Sequence, residues 1–174
     1  MKHKLILALV MSGSLLTACA QEEEAVKKIE ATEIKEMVQD YTARNITAKS
    51  ASITATQLVV TNNDEEKEVY ELPKEEFFVS IAPYINETHP CHNHSLTGCQ
   101  GELVKEEFDI YIEDEKGNVV VNETLQTGVN GFIDLWLLRN QTYQIKIQHG
   151  SKLVESEFST FDKDGTCITT LQLT

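Results

Sequence analysis

The sequence predicts a mainly β chain with an N-terminal α-helix, whose C-terminal part is a small antiparallel β-sandwich. Near the N-terminus, apolar residues recur at three- and four-residue steps. Further along they recur at every second residue, and turn-forming residues separate these segments roughly every ten residues. The composition, with 41% hydrophobic and 25% charged residues, is that of a globular protein.

Residues 1–18 have the features of a bacterial secretory leader. A basic start, Met1–Lys4, precedes an apolar stretch far shorter than the roughly 20 residues that span a bilayer. The leader ends in the sequence LTAC at residues 16–19, which resembles a lipobox. We therefore expect Cys19 to be acylated and to anchor the mature chain to the membrane outside the cytoplasm. The alternatives are an ordinary leader with an incidental cysteine, or a buried N-terminal helix.

The helix and the strands follow from the two periodicities. Residues 20–44 predict an amphipathic helix, with its apolar positions at Val26, Ile29, Ile34, Met37, Val38 and Tyr41. Period-two alternation or apolar runs predict strands at residues 52–60, 67–72, 77–85, 108–113, 119–121, 132–138, 143–148, 153–158 and 167–173. The mature chain is thus divided into a helix-and-hairpin region, residues 19–75, and a β-sandwich domain, residues 76–174.

The charge of the chain excludes one class of partner. The formal net charge is −13 at pH 7. Such a surface repels phosphate backbones, so we expect no nucleic-acid binding.

Three cysteines remain once Cys19 is set aside. Cys91, Cys99 and Cys167 are an odd number, so disulfides alone leave one thiol unexplained. The first two lie in an irregular loop, residues 86–101, which contains glycines that permit tight folding. A site where this loop folds over the start of the last strand would gather all three sulfurs.

The last strand gives an expectation for the third thiol. Alternation in residues 167–173 places Cys167 on the same face as Leu171 and Leu173, and we expect that face to point inward.

Three histidines, His89, His92 and His94, lie in the same loop as two of the cysteines. Three thiolates suit Cu(I), or Zn(II) if a histidine completes four ligands. Imidazoles beside thiols could also receive Cu(II). The alternative is a disulfide with one stray buried cysteine, among solvated histidines.

The loop and the last strand together resemble the CueP family of periplasmic copper-resistance proteins. The resemblance rests on residues 89–102 (HPCHNHSLTGCQGE), on Gly131-Phe132, Trp136-Leu137 and Arg139-Asn140, and on residues 165–170 (GTCITT). It implies that copper binds through three cysteines, Cys91, Cys99 and Cys167. It also implies Cu(II) reduction, thioredoxin-like partners that keep the thiols reduced, and dimerisation through the N-terminal part. The lipobox is a departure from soluble periplasmic members.

Three functions compete at this point. The first is a binding protein that sequesters Cu(I), after stoichiometric reduction of Cu(II) by the pair Cys91 and Cys99; such a protein is not an enzyme. The second is a thiol–disulfide redox partner that uses the same pair and ignores metal. The third is a structural β-sandwich stapled by zinc. Metal content of the anaerobically purified protein separates them.

Overall fold

A computed structural model of the protein describes residues 25–174. The leader predicted for residues 1–18 and the acylation predicted for Cys19 lie outside the described residues. The elements, in chain order, are β1 (Val26–Lys27), α1 (Ala31–Thr42), β2 (Ser50–Ile53), β3 (Gln57–Thr61), β4 (Lys67–Glu71), β5 (Glu76–Ile81), β6 (His94–Ser95), β7 (Glu107–Asp114), β8 (Val119–Gln126), β9 (Ile133–Leu138), β10 (Thr142–His149), β11 (Lys152–Ser159) and β12 (Cys167–Ile168). The prediction of a mainly β chain with one helix near its N-terminus is confirmed.

The helix is shorter than predicted. It begins after Glu30, whose backbone N–H donates to the Glu33 carboxylate at 3.3 Å and so caps the first turn. Residues Val26–Lys27, predicted as helix, instead form β1 and pair in parallel with β4. An ion pair between Lys27 and Glu68 accompanies this pairing.

The predicted strand at residues 52–60 is two strands joined by a tight turn. The Thr54 hydroxyl accepts the Gln57 N–H at 3.0 Å, and the Thr54 N–H donates to the Gln57 carbonyl at 2.8 Å. These local bonds compete with the sheet ladder and reverse the chain between β2 and β3. The apolar alternation shifts by one residue at this turn, because Ile53 and Ala55 are followed by polar Gln57 and the pattern resumes at Leu58 and Val60.

The strands form three sheets. The N-terminal sheet has the order β1-β4-β3-β2-β6, the central sheet has the order β12-β5-β9, and the C-terminal sheet has the order β11-β10-β7-β8. Pairing is antiparallel except between β1 and β4 and between β12 and β5.

The central sheet is covered on both faces, and β5 shows this by its alternation. Phe77, Val79 and Ile81 belong to the apolar cluster shared with the C-terminal sheet. Phe78 points the other way, into the cluster formed by the helix and the N-terminal sheet. A third, smaller cluster joins Ala82, after the end of β5, to the cysteines. Within residues 25–174, no helix is both long and apolar enough to cross a membrane.

Candidate metal centre

The loop that carries two of the cysteines is closed at its base by one carboxylate. Glu102 accepts the Ile85 N–H at 2.6 Å, the Asn86 N–H at 3.0 Å and the Asn86 side-chain amide at 3.0 Å. The two backbone N–H groups lower the pKa of Glu102 below its usual range. The two ends of the loop formed by residues 86–101 therefore lie next to each other.

A crossing of two glycines presses the end of this loop against the segment before β9. A Cβ on Gly101 would lie 2.5 Å from the Gly131 carbonyl oxygen, so only glycine fits. Gly131 has a φ of 76°, and the Gly101 N–H donates to the Asn130 carbonyl at 2.7 Å. The crossing places the neighbouring Phe132 beside Cys91 and Cys99 in one apolar cluster.

The start of the last strand brings the third thiol to this loop. Cys167 pairs with Ser80 of β5, and its N–H donates to the His92 carbonyl at 3.1 Å. Cys167 contacts Phe132 and Ala82, whereas Leu171 and Leu173 pack into the cluster between the central and C-terminal sheets. The prediction that Cys167 and both leucines point inward is confirmed, because all three are buried and the alternation of buried and more exposed residues continues through Leu173. Regular strand pairing ends at Ile168, and beyond it the chain passes from one apolar cluster to the other.

The structure brings the three thiols into one place, and none of them forms a disulfide. The sulfurs of Cys91 and Cys99 are 3.5 Å apart. The Cys99 sulfur also lies within 4.8 Å of the Cys167 sulfur and accepts the Ser95 N–H at 3.4 Å. Cys99 thus lies close to both other sulfurs, and the Cys91 and Cys167 thiols also interact with each other.

His94 joins the site from the buried side. It lies in β6, opposite Ile53 of β2, and is completely buried. Its Nδ1 is 3.5 Å from the Cys167 sulfur, and its Nε2 has no hydrogen-bond partner. The Thr166 hydroxyl accepts the His94 N–H at 2.9 Å and donates to the Ile53 carbonyl at 2.6 Å. This hydroxyl fixes the backbone of the histidine next to the thiol.

The other two predicted histidines differ in their positions. A ring nitrogen of half-buried His89 lies within 4.8 Å of the sulfurs of Cys91 and Cys99, and its Nε2 is buried without a hydrogen-bond partner. His92 is exposed, its ring lies beside Gly165, and it belongs to neither group of potential ligands in residues 25–174. Its carbonyl oxygen, and not its ring, contributes to the site.

The three thiols of the site differ in the direction of their pKa shifts. Hydrogen bonding from the Cys167 thiol, helped by His94 and the Ser95 N–H, lowers the pKa of Cys99 well below its usual range despite burial. The same contact with Cys99, together with burial, raises the pKa of Cys167. Burial also raises the pKa of Cys91. Cys99 is therefore the thiol that most readily becomes the thiolate, the form that binds metal.

The donor set fits a soft or borderline metal ion. Two groups of three ligand atoms have all their members within 4.8 Å of one another: His89, Cys91 and Cys99 form one, and His94, Cys99 and Cys167 form the other. Thiolates and imidazoles are ligands of copper and zinc. Two buried imidazole nitrogens without partners are otherwise unfavourable, and a metal ion would satisfy them.

Sequence reasoning assigned no role to Thr166, Phe132 or Glu102. The Thr166 hydroxyl bonds a carbonyl 113 residues earlier in the chain, and Phe132 lies 4.5 Å from His94 between ring centroids. Contacts of such long range leave no periodic signal in the sequence. Their position in the sequence was the available signal. Thr166 immediately precedes Cys167, and Glu102 immediately follows the loop that contains the other two cysteines.

Comparisons with known proteins agree on one relationship. A sequence model of the family described as periplasmic copper-binding protein CueP matches residues 32–172. The crystal structure of a protein called S.CueP is similar to this chain, with a TM-score of 0.75 and 35% sequence identity. The similarity covers 81% of this chain and 88% of that one. No curated protein matches the chain.

Proposed function

Because the chain belongs to the CueP family of periplasmic copper-binding proteins, we propose that it sequesters Cu(I) outside the cytoplasm through Cys91, Cys99 and Cys167. The observation that supports this most is the gathering of three free thiols around Cys99, next to two unpartnered imidazole nitrogens. Thiolates select Cu(I) over harder ions, and a low coordination number suits it. Zinc, which prefers four ligands, is the weaker alternative.

We also propose that the thiols reduce Cu(II) before Cu(I) is bound. The sulfurs of Cys91 and Cys99 are 3.5 Å apart, within a short movement of bonding distance. Two thiols give two electrons and two protons and form one disulfide, and two Cu(II) ions become two Cu(I). The reaction consumes the thiols, so the protein is a stoichiometric reductant rather than an enzyme. A thioredoxin-like partner would then restore the thiols.

The location and architecture complete the proposal. Cys19 would carry lipid and attach the mature chain to the outer face of the membrane, with residues 76–174 as a mainly antiparallel β-sandwich that carries the copper site. One apolar cluster shared by the central and C-terminal sheets supports the sandwich. Replacing Cys19 with Ser should release the chain from membranes or leave its leader uncleaved. Unchanged mass and membrane retention would contradict the lipid anchor.

The test of copper binding uses the chain without its leader, purified anaerobically. We expect about one Cu(I) per chain, sulfur-dominated coordination by X-ray absorption, and weaker zinc binding. Cys167→Ser should lose affinity, whereas Val120→Ser, on exposed β8, should not. Zinc held more tightly than Cu(I), or full affinity in Cys167→Ser, would contradict the proposal.

The redox step has a separate readout. Cu(II) added without oxygen to the reduced chain should disappear as two thiols per chain are lost, and a reductant should restore them. Cu(II) persisting beside three intact thiols would contradict the reduction step and leave Cu(I) sequestration in place.

A further inference from the structure

The two groups of ligand atoms overlap at a single residue, Cys99. One group adds His89 and Cys91, and the other adds His94 and Cys167. We infer that copper occupies two successive positions, an outer one in the first group and an inner one in the second, and passes between them by exchanging ligands around Cys99. This inference rests on the proposed function and assigns the two histidines to different steps of it.

Burial sets the order of the two positions. All three residues of the outer group are half-buried, and His92 and Asn93 beside them are exposed. In the inner group His94 is completely buried and Cys167 is only 7% exposed. An ion arriving from solvent or from another copper carrier therefore meets the outer group first, and the inner group is where it is shielded from solvent.

The surroundings of His89 and His94 are those expected of metal ligands rather than of histidines in an apolar core. Each has an Nε2 that is buried and without a hydrogen-bond partner. The Phe132 ring contacts both imidazoles, with centroids 4.5 Å from His94 and 6.3 Å from His89. One aromatic ring therefore lies beside both positions and supplies no competing ligand. A core histidine without a metal would normally have its ring nitrogens satisfied.

The exchange keeps one copper–sulfur bond intact throughout. The ion leaves His89 and Cys91 and gains His94 and Cys167, while the Cys99 thiolate remains bound. Cys167 gives up its proton as it binds, and Cys91 takes one up as it is released, so neither charge nor oxidation state changes. Because both positions need Cys99, the structure favours one ion per chain at a time.

The test separates the rate of capture from the affinity. Cu(I) is supplied anaerobically as the bicinchoninate complex, and transfer to the reduced chain is followed by stopped-flow absorbance. His89→Ala should slow capture by about tenfold and change the equilibrium affinity by less than about threefold. His94→Ala should capture copper at the normal rate but lose at least about tenfold in affinity.

His92→Ala is the matched control, because the His92 ring lies in the same loop and belongs to neither group, and alanine keeps the carbonyl oxygen that accepts the Cys167 N–H. It should change neither rate nor affinity. His94 is buried, so His94→Gln, which retains most of the side-chain volume, is measured alongside and should show the same loss of affinity. Circular dichroism of each variant establishes that it is folded.

The outcomes distinguish this inference from the proposed function. Equal effects of His89→Ala and His94→Ala on both rate and affinity would indicate one static site and overturn the inference, with Cu(I) sequestration intact. Two copper ions held at once by one chain would also overturn it. A wild-type chain that takes no Cu(I) from bicinchoninate would overturn the proposed function and the inference together.

Discussion

The C-terminal sheet and the metal-binding end of the molecule are constructed in opposite ways. Strands β7, β8, β10 and β11 each have eight residues and pair along nearly their whole length. The cysteine loop, residues 86–101, contains only the two-residue strand β6. The third thiol, Cys167, begins the equally short strand β12. Regular pairing stabilises the first region redundantly, whereas single contacts of Glu102, Gly101 and Thr166 fix the second. Stability and metal geometry should therefore respond to different substitutions.

The largest expected effect tests that separation in the C-terminal sheet. Ile147 is fully buried and pairs with Ile110 and Val154. Ile147→Ala should lower the free energy of unfolding by about 3 kcal/mol, because it leaves a cavity in the core. Cu(I) affinity of the folded variant should be unchanged, since Ile147 belongs to neither ligand group. Urea denaturation and a Cu(I) competition assay measure the two quantities.

The adjacent Lys146 is the matched control for this variant. Its side chain is exposed and forms an ion pair with Glu155 on the solvent face. Lys146→Ala should cost at most about 1 kcal/mol. A fall in copper affinity that parallels the loss of stability in Ile147→Ala would show that the two regions are not separable.

The contrast also explains what could be predicted from the sequence. Alternation of Phe108, Ile110 and Ile112, and of Tyr143, Ile145 and Ile147, predicted strands whose buried faces the structure confirms. Period two reports burial on one face of a strand, and these strands are long enough to show it. Strands β7 and β10 could therefore be predicted residue by residue, whereas β8, which is mostly exposed, was predicted only over residues 119–121 of its eight-residue length.

The site could be predicted by residue type but not by arrangement. The cysteines and histidines were evident from their clustering, yet nothing local distinguishes buried His94 from exposed His92. That difference arises because β6 pairs with β2, more than 40 residues earlier in the chain. The burial of Cys167 was predicted from the alternation in residues 167–173, but the apolar cluster that it joins was not, because regular strand ends at Ile168.

The second prediction concerns the close backbone contact between Gly101 and Gly131 at the metal-binding end. Gly101→Ala should cost about 2 kcal/mol, because its Cβ would lie 2.5 Å from the Gly131 carbonyl oxygen and backbone must shift. The shift moves Cys99 relative to Phe132, so Cu(I) affinity should fall as well. Urea denaturation and Cu(I) competition are again the measurements.

Gly117→Ala provides the comparison for a glycine outside the site. Gly117 has a φ of 80° in the turn before β8, and nothing lies within 4 Å of its added Cβ. This variant should lose about 1 kcal/mol from backbone strain alone and keep its copper affinity. If Gly101→Ala loses stability but binds copper normally, the glycine crossing is a folding feature that does not position the thiols.

The smallest expected effect comes from the carboxylate that closes the cysteine loop. Glu102→Gln retains an acceptor oxygen but removes the charge that strengthens the bonds from the Ile85 and Asn86 N–H groups. We expect a loss of about 1 kcal/mol in stability at neutral pH and a fall of less than about tenfold in Cu(I) affinity. Glu115→Gln, in the exposed turn before β8, should change stability by less than about 0.5 kcal/mol.

The pH dependence identifies the charge of Glu102 as the cause. The backbone N–H groups lower its pKa in the folded chain, so its contribution to stability is complete above the ordinary glutamate pKa of about 4.3. The contribution is lost as the pH falls through the lowered folded value. The stability difference between wild type and Glu102→Gln should therefore be constant near neutral pH and disappear in acid. A difference that persists unchanged in acid would mean that the amide disturbs packing, and that the carboxylate charge does not close the loop.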